Sequence, residues 1–400
     1  MASSIVPLAM TSHKGVTGAA LIDRDQYAAL AHGVYLNQAS LGLIPRAAID
    51  ASTRFLTDVA QHGNLHLSDD AEAAVLDGLR ADAAALLGAS QEAIAVLGGA
   101  SEGLSQMAAL LSEPDGEVVL VDSDFPSVTY PWLAAQQRLG MRVRWAVDDP
   151  GRDLTEALTE AIGDRTTVVC VSAVQFATGS QVDVPALVSR ARGAGAQVVV
   201  DVTQLAGAGP VAMRDWGVDA VVCSGYKWLS APTGVALLGV SEQLATATPA
   251  IVGWKGTSAP FDFHPRELVL APDARRFELS STSYSAAAGL QASIRLLSDT
   301  GLDAIAEHAR TLSTQLLDAS ARLGWVPYRS LHDRSGCGHI ISLRHPDAVA
   351  ADVQAWLARE HRINVSARVG GIRVSLHAYN SSEDVRALVQ ALEQYLSERS

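Results

Sequence analysis

Lysine occurs at only three positions in this 400-residue chain, Lys14, Lys227 and Lys255, so an amine nucleophile has three possible homes. Lys227 is the best placed. It follows an apolar run over 220–223, and 26 residues before it Asp201 closes another apolar run, Val198, Val199 and Val200. An acidic residue at the carboxyl end of a buried strand directs its carboxylate into the crevice above a parallel sheet. A lysine entering that crevice from apolar surroundings loses its proton more readily and becomes the nucleophilic amine that Schiff-base chemistry requires. An aspartate facing it can keep a pyridinium nitrogen protonated, which is the pairing pyridoxal phosphate imposes to act as an electron sink. Taken alone, Lys227 reads as a solvated lysine in a turn. The carboxylate at this spacing moves the reading to a cofactor lysine, with Lys227 and Asp201 as the catalytic pair.

Other chemistries fit less well. Gly207-Ala208-Gly209-Pro210-Val211-Ala212 matches Gly-x-Gly-x-x-Ala, but it starts six positions past Asp201, contains a proline and leads into only a short helical pattern. A dinucleotide fingerprint has to form the turn between a strand and its helix, and a Walker loop is absent. Cys170, Cys223 and Cys337 are far apart and contain no Cys-x-x-Cys pair. The first two fall in apolar runs and read as buried thiols rather than metal ligands or a disulfide. No metal site is expected, and a reducing cytoplasm is the default compartment.

These side chains need a scaffold. Between 94 and 240 short β-branched runs alternate with helical patterns: strands near 94–97, 117–121, 143–146, 167–172, 197–201, 220–223 and 234–238, and helices over 102–111, 131–139, 154–162 and 185–194. Apolar strands alternating with helices predict an α/β fold, a mostly parallel sheet covered on both faces. Before it, 46–62 and 71–87 carry helical periodicity. After Ser281 come helices over 286–297 and 302–323, a strand near 340–343, a helix over 348–360, a strand near 372–376 and a last helix from Glu383, a smaller α+β domain. The expected boundaries are 1–33 for a leader and helix, 34–280 for the large domain and 281–400 for the small one. The stretch 251–272 reads as a long excursion loop, and 1–15 as a loose leader without the order of a signal peptide.

Composition narrows the partners. Thirty basic against 43 acidic side chains give a net charge of −13, with 48% apolar and 18% charged residues, the mix of a soluble protein with a large core. An acidic balance without a basic run argues against nucleic acid or an anionic membrane as partner, and no apolar run reaches transmembrane length.

The segment from Asp201 to Leu229, DVTQ…SGYKWL, together with VYLNQASLGLIP from Val34, resembles the class V aminotransferases. This family of the pyridoxal-phosphate fold type I superfamily includes cysteine desulfurases, kynureninase and isopenicillin-N-epimerase-like enzymes. The resemblance runs from about Val34 to the C-terminal helix. It implies pyridoxal phosphate as cofactor and a homodimer. It places Ser101 and Glu102, in GGASEGLSQ, at the cofactor phosphate, where a helix start offers free N–H groups. Phe125 falls where relatives stack a ring on the pyridine. Gln204 and Gln175 are both candidates for the ring hydroxyl or imine region, and Ser224 and Tyr226 would be phosphate ligands. Relatives complete the phosphate site from the second subunit with Gly-Thr after Phe-Glu. Here Phe277-Glu278 leads to Ser281 and Thr282, either of which would substitute. Arg373, in GIRVSLHAYN, matches the arginine that grips a substrate carboxylate, as a planar fork suits. Arg368 is a second candidate, and Asn37, Gln38, Ala39 and Ser40 would line the same pocket. His377 reads as structural.

Departures from the family limit the chemistry. Desulfurases carry their sulfur-accepting cysteine on a loop just before the arginine strand, and the run from Ile363 to Arg373 has no room for it. Phe125 also replaces a stacking histidine, which leaves Lys227 as the main proton shuttle. The expected shared step is removal of an amino acid's α-proton by Lys227. The branch expected after it is β-elimination from an S-substituted cysteine, a C–S lyase reaction. Amino-group transfer, decarboxylation-linked oxidative deamination and epimerisation are the alternatives, and a catalytically silent relative is a further one.

Overall fold

The computed structural model describes residues 18–399; the leader over 1–15 and Lys14 lie outside the described residues. The strands are β1 (Val34–Tyr35), β2 (Ile94–Leu97), β3 (Glu117–Val121), β4 (Arg142–Ala146), β5 (Thr166–Ser172), β6 (Gln197–Asp201), β7 (Ala220–Ser224), β8 (Ala236–Val240), β9 (Val326–Pro327), β10 (Ile340–Arg344), β11 (Ile363–Asn364), β12 (Ser366–Arg368) and β13 (Gly371–Ser375). Seven of them form a central sheet in the order β2-β8-β7-β6-β5-β3-β4. Neighbours from β7 to β4 are parallel. The one reversal is β8, antiparallel to both β2 and β7, so the strand expected at 234–238 runs against the others.

Continuous apolar strands are buried on both faces. Val119, Val169, Val200 and Val221 face a core with the helices Leu154–Ala161, Val184–Gly193 and Tyr284–Thr300. Val118, Val168, Val199 and Val222, one position away, face the helices Ala100–Leu111 and Pro126–Leu139. Each such buried side chain contributes about 1.5–3 kcal/mol. Cys170 and Cys223 sit inside these two layers as buried free thiols. Asp153 and Asp183 cap the helices that follow them by accepting N–H bonds from Glu156 and Ala186.

Two of the helices that begin earlier than expected bear on the site. The helix expected from 102 starts at Ala100, and the one expected from 131 starts at Pro126. Proline suits a helix start because its missing N–H has no acceptor there, and Pro131 is carried inside the same helix. The starts bring Ser101 and Ser127 into the first turns of two neighbouring helices.

A second, antiparallel sheet has the order β12-β13-β10-β9. One face packs Ile341, Leu343, Ile372 and Val374 against helices near the C-terminus. The N-terminal segment joins this region, with β1 parallel to β11 and Asn37 bridged to Ser375. The strands β12 and β13 are linked by only Val369 and Gly370, with φ of 46° and 73°. A two-residue type I′ turn needs both positive, which favours Asn-Gly, and a β-branched residue there is strained by about 1–2 kcal/mol. Val369→Asn is therefore expected to stabilise the protein by about 1 kcal/mol, read as a higher denaturant midpoint at unchanged slope.

Candidate active site

The carboxyl ends of β5, β6 and β7 open onto a cavity of about 130 Å³, lined by Ser101, Phe125, Ser127, Phe176, Thr203 and Lys227 among others. Register places Ser172 beside Asp201 at the strand ends. The turn after β7 delivers Lys227. Gly42 N–H donates to the Tyr226 carbonyl at 2.9 Å, and Ser230 N–H and Gln38 Nε2 donate to the Lys227 carbonyl at 2.9 Å. The rejected Gly-x-Gly match has its explanation here: Gly207 has φ 97°, and a Cβ on it would meet the Trp228 carbonyl oxygen at 2.4 Å. Glycine is needed for the lysine turn to approach, not for a dinucleotide.

Lys227 is 7% exposed, and burial pushes its amine down to about 8, against the pull of the Asp201 charge; the Arg373 and Arg368 charges lower it further. Its Nζ lies 5.0 Å from the centre of the Phe125 ring. Lys255, the other described lysine, is engaged by Glu72 and sits 4.5 Å over Trp254 and 4.1 Å over Phe261. Asp201 is buried, which raises its carboxyl; Thr203 bonds, one from its N–H at 2.7 Å, and the Lys227 charge oppose this.

At the other end of the cavity, Ser101 Oγ and Ser127 Oγ are 2.7 Å apart. Each belongs to the first turn of a helix, where N–H groups lack intrahelical acceptors, so two partly positive helix ends converge on one spot. Glu102 is a correction. Its carboxylate turns back to accept from Gly98 N–H at 3.0 Å, and its own N–H donates to Gly99 O, so it closes the helix start instead of facing the cavity.

Gln204 lines the cavity, but its Nε2 donates to Ala39 O at 3.1 Å and its Oε1 accepts from Trp228 Nε1 at 2.7 Å. It ties the lysine turn to the N-terminal segment. Gln175 is not among the cavity-lining groups; its Nε2 donates to Asp124 at 3.2 Å. Asp124 was not anticipated. It is buried, which pushes its carboxyl up to about 6, and it accepts from Ser172 N–H at 2.8 Å, Ser172 Oγ at 2.6 Å and Phe125 N–H at 2.7 Å. Phe125 is further held edge-on to Phe176, 5.3 Å away. Asp124, Ser127, Thr203 and Phe176 all lie close to residues already singled out, and closeness within DSDFPSVTYPW, DVTQ and VQFATG was the signal that could have found them.

Arg373 is 1% exposed, and no carboxylate pairs with it among the described residues. Its guanidinium donates to Phe176 O at 2.6 Å, Asn37 Oδ1 at 3.3 Å and Ser40 Oγ, while Nε has no partner. A buried cation held by neutral acceptors beside a nucleophilic amine is prepared for an anion. Gln38 is a second correction: its amide makes four bonds, to Lys227 O, Ser230, Leu43 N–H and Tyr379, and has no capacity left for substrate. Ser224 and Tyr226 line the cavity, whereas Ser281 is exposed and Ser281 and Thr282 are not among its lining residues; the buried Thr282 hydroxyl has no partner. His377 is buried, its ring centre 5.7 Å from that of Trp228, and is not among the cavity-lining residues. No metal-holding cluster occurs among the described residues.

A family model for aminotransferase class V matches residues 34–388, and the chain belongs to that family. The cysteine desulfurase CsdA of Escherichia coli is 27% identical, over 93% of this chain and 96% of that protein. Two solved structures of the cystine C-S lyase C-DES, one with its product cysteine persulfide and one a mutant with glycine covalently linked to the PLP cofactor, share the fold. They have TM-scores of 0.83 and 0.82 at 21% identity, over 92% and 93% of this chain and 99% of each of theirs. The chain is accordingly a pyridoxal-phosphate-dependent enzyme of fold type I, similar to cysteine desulfurases. Its residues fit that cofactor: a buried amine of lowered basicity, a buried carboxylate, a flanking phenyl ring and two converging helix ends. No helix of the described residues is long and apolar enough to cross a membrane.

Proposed function

We propose that this enzyme is a C–S β-lyase that acts on an S-substituted cysteine without a protein thiol. The carrying observation is the short link between β12 and β13: two residues stand where a desulfurase-type cysteine loop would be, and all three cysteines are buried. Burial pushes the Cys337 thiol up to about 12, which removes the thiolate needed for sulfur transfer.

Asp201 would hold the ring nitrogen, Phe125 would flank the ring, and Ser101, Ser127, Ser224 and the helix ends would take the phosphate. Bound pyridoxal phosphate supplies the sink for electrons released at the substrate Cα. Arg373 holds the α-carboxylate and so fixes which bond faces Lys227. Neutral Lys227 Nζ accepts the α-proton; the electron pair expels the β-thiolate as the Cβ–S bond breaks, and the protonated amine is then placed to return its proton. Water completes the conversion to pyruvate and ammonia. Lys227 is the only amine or imidazole among the cavity-lining residues. Epimerisation, which needs a second base on the opposite face, is correspondingly disfavoured. A homodimer in which Ser281 or Thr282 of the second copy reaches the phosphate belongs to the same reading.

The test is incubation of the cofactor-loaded protein with S-alkyl cysteines, measuring thiol, pyruvate and ammonia in equal amounts. Cys337→Ala is expected to retain turnover within about twofold, since no step uses a thiol. Release of alanine in place of pyruvate, with sulfur bound on the protein, would overturn the reading.

A further inference from the structure

Arg373 shares its sheet face with other guanidiniums. Ser366 on β12 and Ser342 on β10 pair with Arg373, and Arg368 pairs with Gly371. Side chains two residues apart on a strand share a face, so Arg368 and Arg344 lie on the Arg373 side. The other side is the apolar core of Ile341, Leu343, Ile372 and Val374. The shared face is the one turned to the site, because Ser366 Oγ bonds Asn37 and Ser40, the two residues that hold Arg373.

None of the three has a carboxylate partner among the described residues. Arg368 donates to its neighbour Ala367 O at 2.8 Å, and Arg344 to Val369 O at 2.8 Å; the buried Nε atoms of Arg344 and Arg373 have no partner. In a chain with 43 acidic and 30 basic residues this grouping is selective. Two buried arginines elsewhere are paired with acids, Arg80 with Glu278 and Arg329 with Asp148, while Arg276 is held by the Ala247 and Ala271 carbonyls. The Arg368 charge is felt at both Lys227 and Arg373. One α-carboxylate satisfies one guanidinium fork and leaves cationic capacity on the same face.

The geometry points to a substrate with a second anionic group at the end of its side chain, bound by Arg368 with Arg344 beside it while Arg373 holds the α-carboxylate. The class is a dicarboxylic amino acid, here an S-conjugate ending in a carboxylate. The sulfur linkage rests on the lyase reading above; the second charge rests on the arginines alone.

S-carboxymethylcysteine and S-carbamoylmethylcysteine are nearly isosteric and differ by one charge. Each is titrated into the cofactor-loaded protein, with the cofactor absorption band reporting binding and thiol plus pyruvate reporting turnover. The acid is expected to bind about tenfold more tightly, the equivalent of about 1.4 kcal/mol, and the difference should shrink in high salt. Arg368→Gln should reduce the preference of the acid over the amide to within about twofold. Equal affinity in the wild type, no binding of either compound, or a preference that survives in Arg368→Gln overturns the proposal. A charge preference without pyruvate keeps the second anion site and removes the lyase reading; pyruvate from both at equal efficiency does the reverse.

Discussion

Lys227→Met is expected to abolish turnover and, in the cofactor-free protein, to raise stability. Loss of the amine removes both the covalent anchor and the base, so a fall of at least about 10⁴-fold in rate is expected. The gain in stability follows from burial. An ordinary lysine titrates near 10.5 and Lys227 near 8, a difference equivalent to about 3 kcal/mol against the protonated folded state. Between those values the unfolded chain binds the proton and the folded one does not, so stability rises with pH there. Below about 8 the full penalty applies. The variant should therefore be about 3 kcal/mol more stable than the wild type at pH 7, and the difference should contract as pH rises from 8 towards 10.5. Denaturant midpoints of the two apo proteins across that range test it. A variant less stable at pH 7 would show that Lys227 is not desolvated as the structure has it.

Arg373→Gln should lower kcat/KM for amino-acid substrates by about 10²–10⁴-fold, the 3–5 kcal/mol typical of truncating one side of a buried charge pair. The loss should fall in KM, through the lost carboxylate contact, and in kcat, because the same contact fixes which bond faces Lys227. The contacts of the guanidinium are Phe176 O, Asn37 and Ser40. Burial, helped by the nearby Arg368, already pushes Arg373 down to about 9, a cost that only an anionic ligand offsets. The cofactor absorption of the variant should match the wild type. Steady-state kinetics on one S-alkyl cysteine decide the matter: a change within threefold would remove Arg373 from the substrate.

Much of the site was legible because short segments carry it. Asp201, Thr203 and Gln204 are neighbours in one run, as are Ser224, Tyr226 and Lys227, and the strands that end at them are apolar enough to be recognised by composition. The partners that Glu102, Gln175 and Gln38 take in the fold were not legible for a common reason. A polar side chain near a site has several acceptors within reach, and which it takes depends on backbone groups distant in sequence. Gln38 is spent on the Lys227 carbonyl 189 residues away, and the Gln175 amide nitrogen bonds Asp124, 51 residues away, which leaves its Oε1 without a partner. The direction of β8 was likewise invisible, since an apolar run buried on both faces reads alike in either direction.

Residue types alone therefore singled out Lys227 and Asp201 as candidates and determined the layered α/β scaffold and the family, because each depends on local order and periodicity. Only the tertiary structure decided which polar groups face the cavity and that Arg373 is buried without an acid. It also decided that Arg344 and Arg368 share the face of Arg373 and that Lys255 is taken by Glu72. Those facts depend on hydrogen-bond competition, desolvation and strand register, which long-range packing sets.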